Sequence, residues 1–117
     1  VSAVVTDDLD YARAQIKPYL ALYIGGMGAK GRNFYNDLAG RYGFEAEAAA
    51  IQDLYLSGRK REAVEAVPDA LVDLTSLVGT REMVRDRLEA WREAGVTSLL
   101  VGMTDLPTLR TLAELIL

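Results

Sequence analysis

The chain has 117 residues, half of them hydrophobic and 26% charged, with 17 acidic against 13 basic side chains and a net charge of −4. That is chain enough for one domain of globular composition, and the acidic balance argues against nucleic acid as a partner, since phosphate neutralisation needs a basic field. With no cysteine and no histidine, disulfides, thiolate or imidazole metal sites and a histidine-based hydrolytic triad are excluded within these residues.

Val1–Thr6 is short, β-branched and uncharged, the pattern of a strand buried on both faces. Asp7-Asp8 follow as helix N-caps, a reading preferred to catalytic acids, and Leu9, Ala12, Ile16 and Leu20 mark the apolar stripe of the helix they open. Pro18 lacks the amide that would bond back to Ala14, so a kink or stop is expected near Lys17. Tyr19–Ile24 continues as helix or turns into a strand; helix is the reading adopted.

Tyr23–Tyr35 then places four glycines, one lysine and three aromatics between apolar segments. Phe34, Leu38 and Tyr42 lie on one helical stripe stopped by Gly43. Phe44, Ala48, Ile51 and Tyr55 mark a second helix ending at Ser57-Gly58. Arg59-Lys60-Arg61, read as a solvated face with an anion contact as the alternative, opens a short helix to Val67, and Pro68-Asp69 starts another. Leu77-Val78 is a brief apolar pair before Gly79. Thr80 caps a helix with stripe Val84, Leu88 and Trp91, in which Trp91 is a core side chain, and Gly95 ends it. Val96–Val101 reads as the second strand, and Asp105-Leu106-Pro107 opens a last helix carrying Leu109, Leu112 and Ile116. Two apolar strands separated by helices predict a parallel pair within a larger α/β sheet. No apolar run approaches the ~20 residues that span a bilayer, so the expectation is a soluble, cytoplasmic protein without a membrane partner. The chain begins with Val1 inside an apolar run, which makes a fragment or a processed product the expectation.

Gly26-Met27-Gly28-Ala29-Lys30-Gly31 fits Gly-x-Gly-x-x-Gly, the pyrophosphate cradle of dinucleotide sites. That reading needs a strand at Tyr19–Ile24 and an acidic strand end about 20 residues later, where the region around Glu45 and Glu47 is instead strongly helical. The phosphate loop of nucleotide hydrolases fails because Lys30 follows Ala29 and precedes Gly31. A plain flexible linker is the competing account. The flanking aromatics favour a ligand-facing loop, since rings beside an open backbone are costly unless they pack on something.

Tyr23-Ile-Gly-Gly-Met-Gly-Ala-Lys-Gly-Arg-Asn-Phe-Tyr-Asn-Asp-Leu-Ala, Ile51-Gln-Asp-Leu-Tyr-Leu-Ser-Gly-Arg-Lys, Val67-Pro-Asp-Ala-Leu-Val-Asp and Gly95-Val-Thr-Ser-Leu-Leu-Val together resemble the C-terminal portion of luciferase-like monooxygenases, in particular their coenzyme F420-dependent oxidoreductases. The resemblance covers nearly the whole chain. It implies a (β/α)8 TIM barrel of which residues 1–117 are a single C-terminal segment, α/β but predominantly helical. Val1–Thr6 is then the seventh strand, Val96–Val101 the eighth, and the helices between them include a long insertion.

The resemblance also implies coenzyme F420, alternatively FMN, held mainly by an N-terminal part outside these residues, and hydride transfer to or from an organic small-molecule substrate. The glycine loop becomes part of the substrate wall and lid. Gly25, Gly26, Met27 and Gly28 are expected as backbone contacts, Lys30 and Asn33 as polar contacts to an anionic group, and Gly102, Met103 and Thr104 as site residues at the end of the second strand. No catalytic proton-transfer residue and no metal ligand is assigned. A barrel takes ~250 residues, so the segment alone is expected to be inactive and to self-associate or form a homo-oligomer. The rival is a non-catalytic helical interaction domain in which the glycines are a hinge.

Overall fold

The computed structural model describes residues 1–102 and 104–117. They form two compact units, Val1–Ile16 with Asp73–Leu117, and Lys17–Val72. Met103, one of the expected site residues, lies outside the described residues.

In the first unit, β1 (Ala3–Val5) pairs in parallel with β2 (Leu77–Gly79), with Ala3 opposite Leu77, Val4 opposite Val78 and Val5 opposite Gly79. The expected partner of β1 was Val96–Val101, and the structure corrects that. Leu77 and Val78 are 0% and 8% exposed, as a doubly covered strand requires, whereas Val96 and Leu100 are 41% and 90% exposed. Residues 96–101 form no regular strand.

They still run beside β1 at their far end. The Val1 amino group donates to the Leu100 carbonyl at 2.6 Å, the Gly102 N–H donates to the Val1 carbonyl at 2.9 Å, and Ser2 and Gly102 form a lone parallel bridge. Backbone groups along a strand point alternately to either side. Ser2 and Thr6 bond to β2 while Val1 bonds to residues 100–102, so β1 lies between the two. Past Gly102 the same side of β1 is closed by a side chain, because the Val5 N–H donates to Thr108 Oγ1 at 3.0 Å.

Two further helices cover this sheet. Thr80 caps α6 (Arg81–Glu93) by accepting from the Met83 N–H, and Asp105 caps α7 (Leu106–Ile116) by accepting from the Thr108 N–H at 2.7 Å. Ala3, Leu77, Val84, Leu88 and Leu112 form the core, with Trp91, Leu99 and Val101 partly buried against it.

The helix α1 (Leu9–Ala21) opens where Asp8 Oδ1 accepts from the Tyr11 N–H at 3.0 Å, so Asp8 is the cap. A kink or stop was expected near Lys17; the helix does not stop there but continues past Pro18 to Ala21, and then widens to i→i+5 turns over Leu22–Gly26. One lost backbone bond is outweighed because Ile16, Ala21 and Ile24, on either side of the proline, are 1%, 0% and 4% exposed.

The second unit is helical. It contains α2 (Phe34–Ala39), a wide turn over Gly40–Phe44 with Gly43 at φ 95°, α3 (Glu45–Leu56), α4 (Lys60–Glu65) and α5 (Asp69–Thr75), the last reaching past the division at Val72. The centre is α3, which packs on the Leu22–Gly26 turn, α2 and α4 and buries Ala48, Ile51 and Gln52. The Phe34/Tyr42 stripe is not the buried face of α2, since both rings are largely exposed and Ala39 is the residue turned inward. Arg59, Lys60 and Arg61 are exposed, with Arg59 on Glu62 and Arg61 on Glu65, as a solvated face requires.

Candidate functional site

The glycine stretch is built around an i→i+5 turn whose carbonyls need donors from elsewhere. Asn33 supplies them. Its Nδ2 donates to the Tyr23 and Ile24 carbonyls, both at 3.0 Å, while its Oδ1 accepts from the Asn36 N–H at 3.0 Å and so caps α2. Asn36 adds a second clamp, donating from Nδ2 to the Ile24 carbonyl at 3.1 Å and to the Ala48 carbonyl of α3 at 2.8 Å. Asn33 is 1% exposed, so its amide is spent on the chain itself.

The glycines of the turn are required by close approach. A Cβ on Gly25 would lie 2.6 Å from the Tyr55 Cβ, and one on Gly26 would lie 2.5 Å from the Tyr55 ring. Gly28 is confined by the Arg32 backbone, and its carbonyl accepts from Gln52 Nε2 at 3.3 Å. Beyond it the chain turns on itself, with the Arg32 N–H on the Ala29 carbonyl at 2.9 Å and Gly31 at φ 77°. Lys30 forms an ion pair with Asp53 of α3, and the Met27 side chain is exposed.

Beside the turn stands an aromatic cluster. Tyr19 and Tyr23 have ring centroids 4.4 Å apart, Tyr23 meets Tyr35 edge-on at 4.7 Å, and Tyr35 meets Phe34 edge-on at 5.4 Å. The Tyr19 hydroxyl is held above its ordinary pKa, first by its hydrogen bond with Tyr23, then by burial and the neighbouring phenols. Phe34 is 65% exposed, so the cluster presents ring surface outward.

Six of the expected site residues, Gly25, Gly26, Met27, Gly28, Lys30 and Asn33, are thus gathered in residues 17–72. Gly102 and Thr104 belong to the other unit. A Cβ on Gly102 would meet nothing within 4 Å, and the Thr104 hydroxyl is buried without a hydrogen-bond partner. Buried hydroxyls are normally paired, and Thr104 departs from that rule.

Sequence reasoning passed over Asn36, Gln52 and Thr108. For Asn36 a signal existed, because Asn33-x-x-Asn36 at the start of an apolar run has the spacing of a helix-capping pair. Thr108 and Gln52 act on distant backbone and leave no local signature. The first unit also holds a cavity of about 90 Å³ lined by Asp73, Ser76, Val78, Met83, Val84 and Arg87, well below the ~300 Å³ at which ligand pockets begin. Among the described residues, no group of acidic side chains could hold a metal ion, and no helix is long and apolar enough to cross a membrane.

Residues 1–98 match the family of luciferase-like monooxygenases. A Mycobacterium tuberculosis protein provisionally named a coenzyme F420-dependent oxidoreductase is 44% identical over 113 residues, which is 97% of this chain and 33% of that protein. The chain therefore spans about a third of the length of that relative. No solved structure matches it. With residues 1–98 of its 117 covered by the family match, the chain belongs to the luciferase-like monooxygenase family.

Proposed function

We propose that residues 1–117 are the C-terminal part of an oxidoreductase that uses coenzyme F420, with FMN as the alternative, to move a hydride to or from an organic small molecule. The observation that carries this reading is the 44% identity, extending over 97% of the chain, to a protein bearing that name. In the same reading the strands are part of a (β/α)8 barrel. The parallel β1–β2 pair and the 100–102 segment on the other side of β1 support it, because three neighbouring parallel segments on a helical crossover are what a slice of such a barrel contains.

A deazaflavin has a polar ring edge and an anionic tail, and a buried donor left unpaired among the described residues suits the ring edge. Thr104 Oγ1 is a buried hydroxyl with no partner of its own, beside Gly102, where no side chain stands in the way. When bound, the coenzyme would give or take the hydride. In the first unit, Thr104 would hydrogen-bond a polar group of the coenzyme. Taken by itself, the unit of residues 17–72 offers the exposed rings of Phe34 and Tyr35 as apolar surface and Lys30, now paired with Asp53, as a positive charge for an anionic group. Proton transfer and most of the cofactor pocket belong to the remainder of the protein. The exposed rings equally suit contact with a second copy of the chain.

The test is a titration of the full-length protein with oxidised coenzyme F420 and, separately, with FMN, followed by fluorescence. Saturable binding of the deazaflavin, weakened in Thr104→Val, is expected. Failure to bind either cofactor would overturn the proposal.

A further inference from the structure

The contacts that hold Gly25–Asn33 fall into two classes. The turn at its start is held by buried, uncharged groups. Asn33 is 1% exposed and bonds the Tyr23 and Ile24 carbonyls, Asn36 bonds Ile24 and Ala48, and Gly25 and Gly26 are seated against Tyr55. The tip is held differently. Among the described residues, its polar link from residues 29–32 to α3 is the Lys30–Asp53 ion pair, whose side chains are 68% and 58% exposed, and the neighbouring Gln52–Gly28 bond is long at 3.3 Å. Gly31, at φ 77° and with open space around it, gives the tip a pivot.

The two classes respond to different conditions. Buried amide–carbonyl bonds are indifferent to salt and costly to break. An exposed ion pair is weak and is weakened further as salt rises. We infer that Asn33 and Asn36 are positioning residues that fix the Leu22–Gly26 turn, and that Lys30 and Asp53 form a salt-sensitive latch on a separately opening tip, Ala29–Arg32. The stretch is then a fixed wall with a small gate at its edge, and Gln52, itself 6% exposed, holds the Gly28 carbonyl where the two meet. The consequence for ligand entry rests on the ligand-facing role proposed above. The latch does not.

Hydrogen exchange of the full-length protein, read by mass spectrometry at about 50 mM and about 500 mM salt, separates the parts. High salt and Asp53→Asn should each speed exchange of the Ala29–Arg32 peptide about two- to fivefold while leaving the Leu22–Gly26 peptide unchanged. Asn36→Ala should speed exchange of Leu22–Gly26 by about tenfold or more. Should Asn36→Ala not fold, the unaltered protein decides that part, since its turn must exchange at least about tenfold more slowly than its tip. Lys30→Gln is a surface change and must reproduce the Asp53→Asn pattern. Tip and turn loosening together under salt, or neither responding, overturns the inference. Deazaflavin titration of Asp53→Asn distinguishes the two layers. An altered affinity supports the gate at the binding site, whereas unchanged affinity with faster tip exchange leaves the latch standing and removes the ligand-facing role.

Discussion

The stretches Gly25–Asn33 and Gly102–Thr104 were both expected to face ligand, and they treat their polar groups in opposite ways. In the first, Asn33 is buried and every polar atom of its side chain is bonded to the chain. In the second, the Thr104 hydroxyl is buried and bonded to nothing. A satisfied buried amide is an investment in the fold, and replacing it leaves carbonyls unpaired. An unpaired buried hydroxyl does nothing for the fold and is free to pair with something that arrives. The richest motif in the sequence is thus the one most committed to structure, and the sparse one keeps a hydroxyl the fold does not use.

The sharpest way to break that comparison is Asn33→Ala. It removes the cap of α2 and both donors to the wide turn, so it should cost about 2–4 kcal/mol in urea unfolding of the protein. A cost under about 1 kcal/mol would mean that water replaces the amide and that Asn33 is not committed to the fold. Next in size is Gly26→Ala. The added methyl must displace the Tyr55 ring, with an expected loss of about 1–3 kcal/mol. Combined with Tyr55→Ala, the loss should fall short of the sum of the two single changes, because the second substitution removes the obstacle.

Two threonines of one unit test the other side of the comparison. Thr108→Val strands the Val5 N–H beside the sheet and should cost about 1–2 kcal/mol. Thr104→Val removes a hydroxyl that bonds nothing, and stability should stay within about 0.5 kcal/mol or rise. Equal losses at the two positions would show that Thr104 is paired in solution.

The helical framework was legible because periodicity and caps are local. Asp8, Thr80 and Asp105 cap where the residue types indicate, and Gly43, Gly58 and Gly95 adopt positive φ near the expected helix ends. The second strand was misplaced because Leu77-Val78 is shorter than Val96–Val101 and less apolar in aggregate. What selects β2 is burial against β1, which only the three-dimensional pairing supplies. The stop allowed for at Pro18 did not occur for a similar reason, since a local penalty was set against tertiary burial and burial prevailed. Of the candidate site, the glycine cluster was visible as composition. The asparagine clamp and the Tyr55 ring that explain it join residues 9 to about 30 positions apart, a separation at which side-chain chemistry leaves no periodic trace.

The smallest expected effect concerns the aromatic cluster beside the turn and appears only in alkali. The Tyr19 hydroxyl keeps its proton to higher pH in the folded chain than in the unfolded one, chiefly because of its hydrogen bond with Tyr23. Below the ordinary tyrosine pKa of about 10 both states are protonated, and the contribution is fully present. Above it the unfolded chain loses the proton first, so stability falls as pH rises through about 10 and on through the raised folded value. Tyr19→Phe has no proton to lose. Its denaturant midpoint should therefore decline less steeply than that of the unaltered protein from about pH 9.5 upward, while the two curves run parallel at neutral pH. Parallel curves through the alkaline range would mean that the Tyr19–Tyr23 hydrogen bond does not persist in solution and that the cluster beside the turn is loose, which would weaken the contrast between a fixed wall and an open hydroxyl from the wall's side.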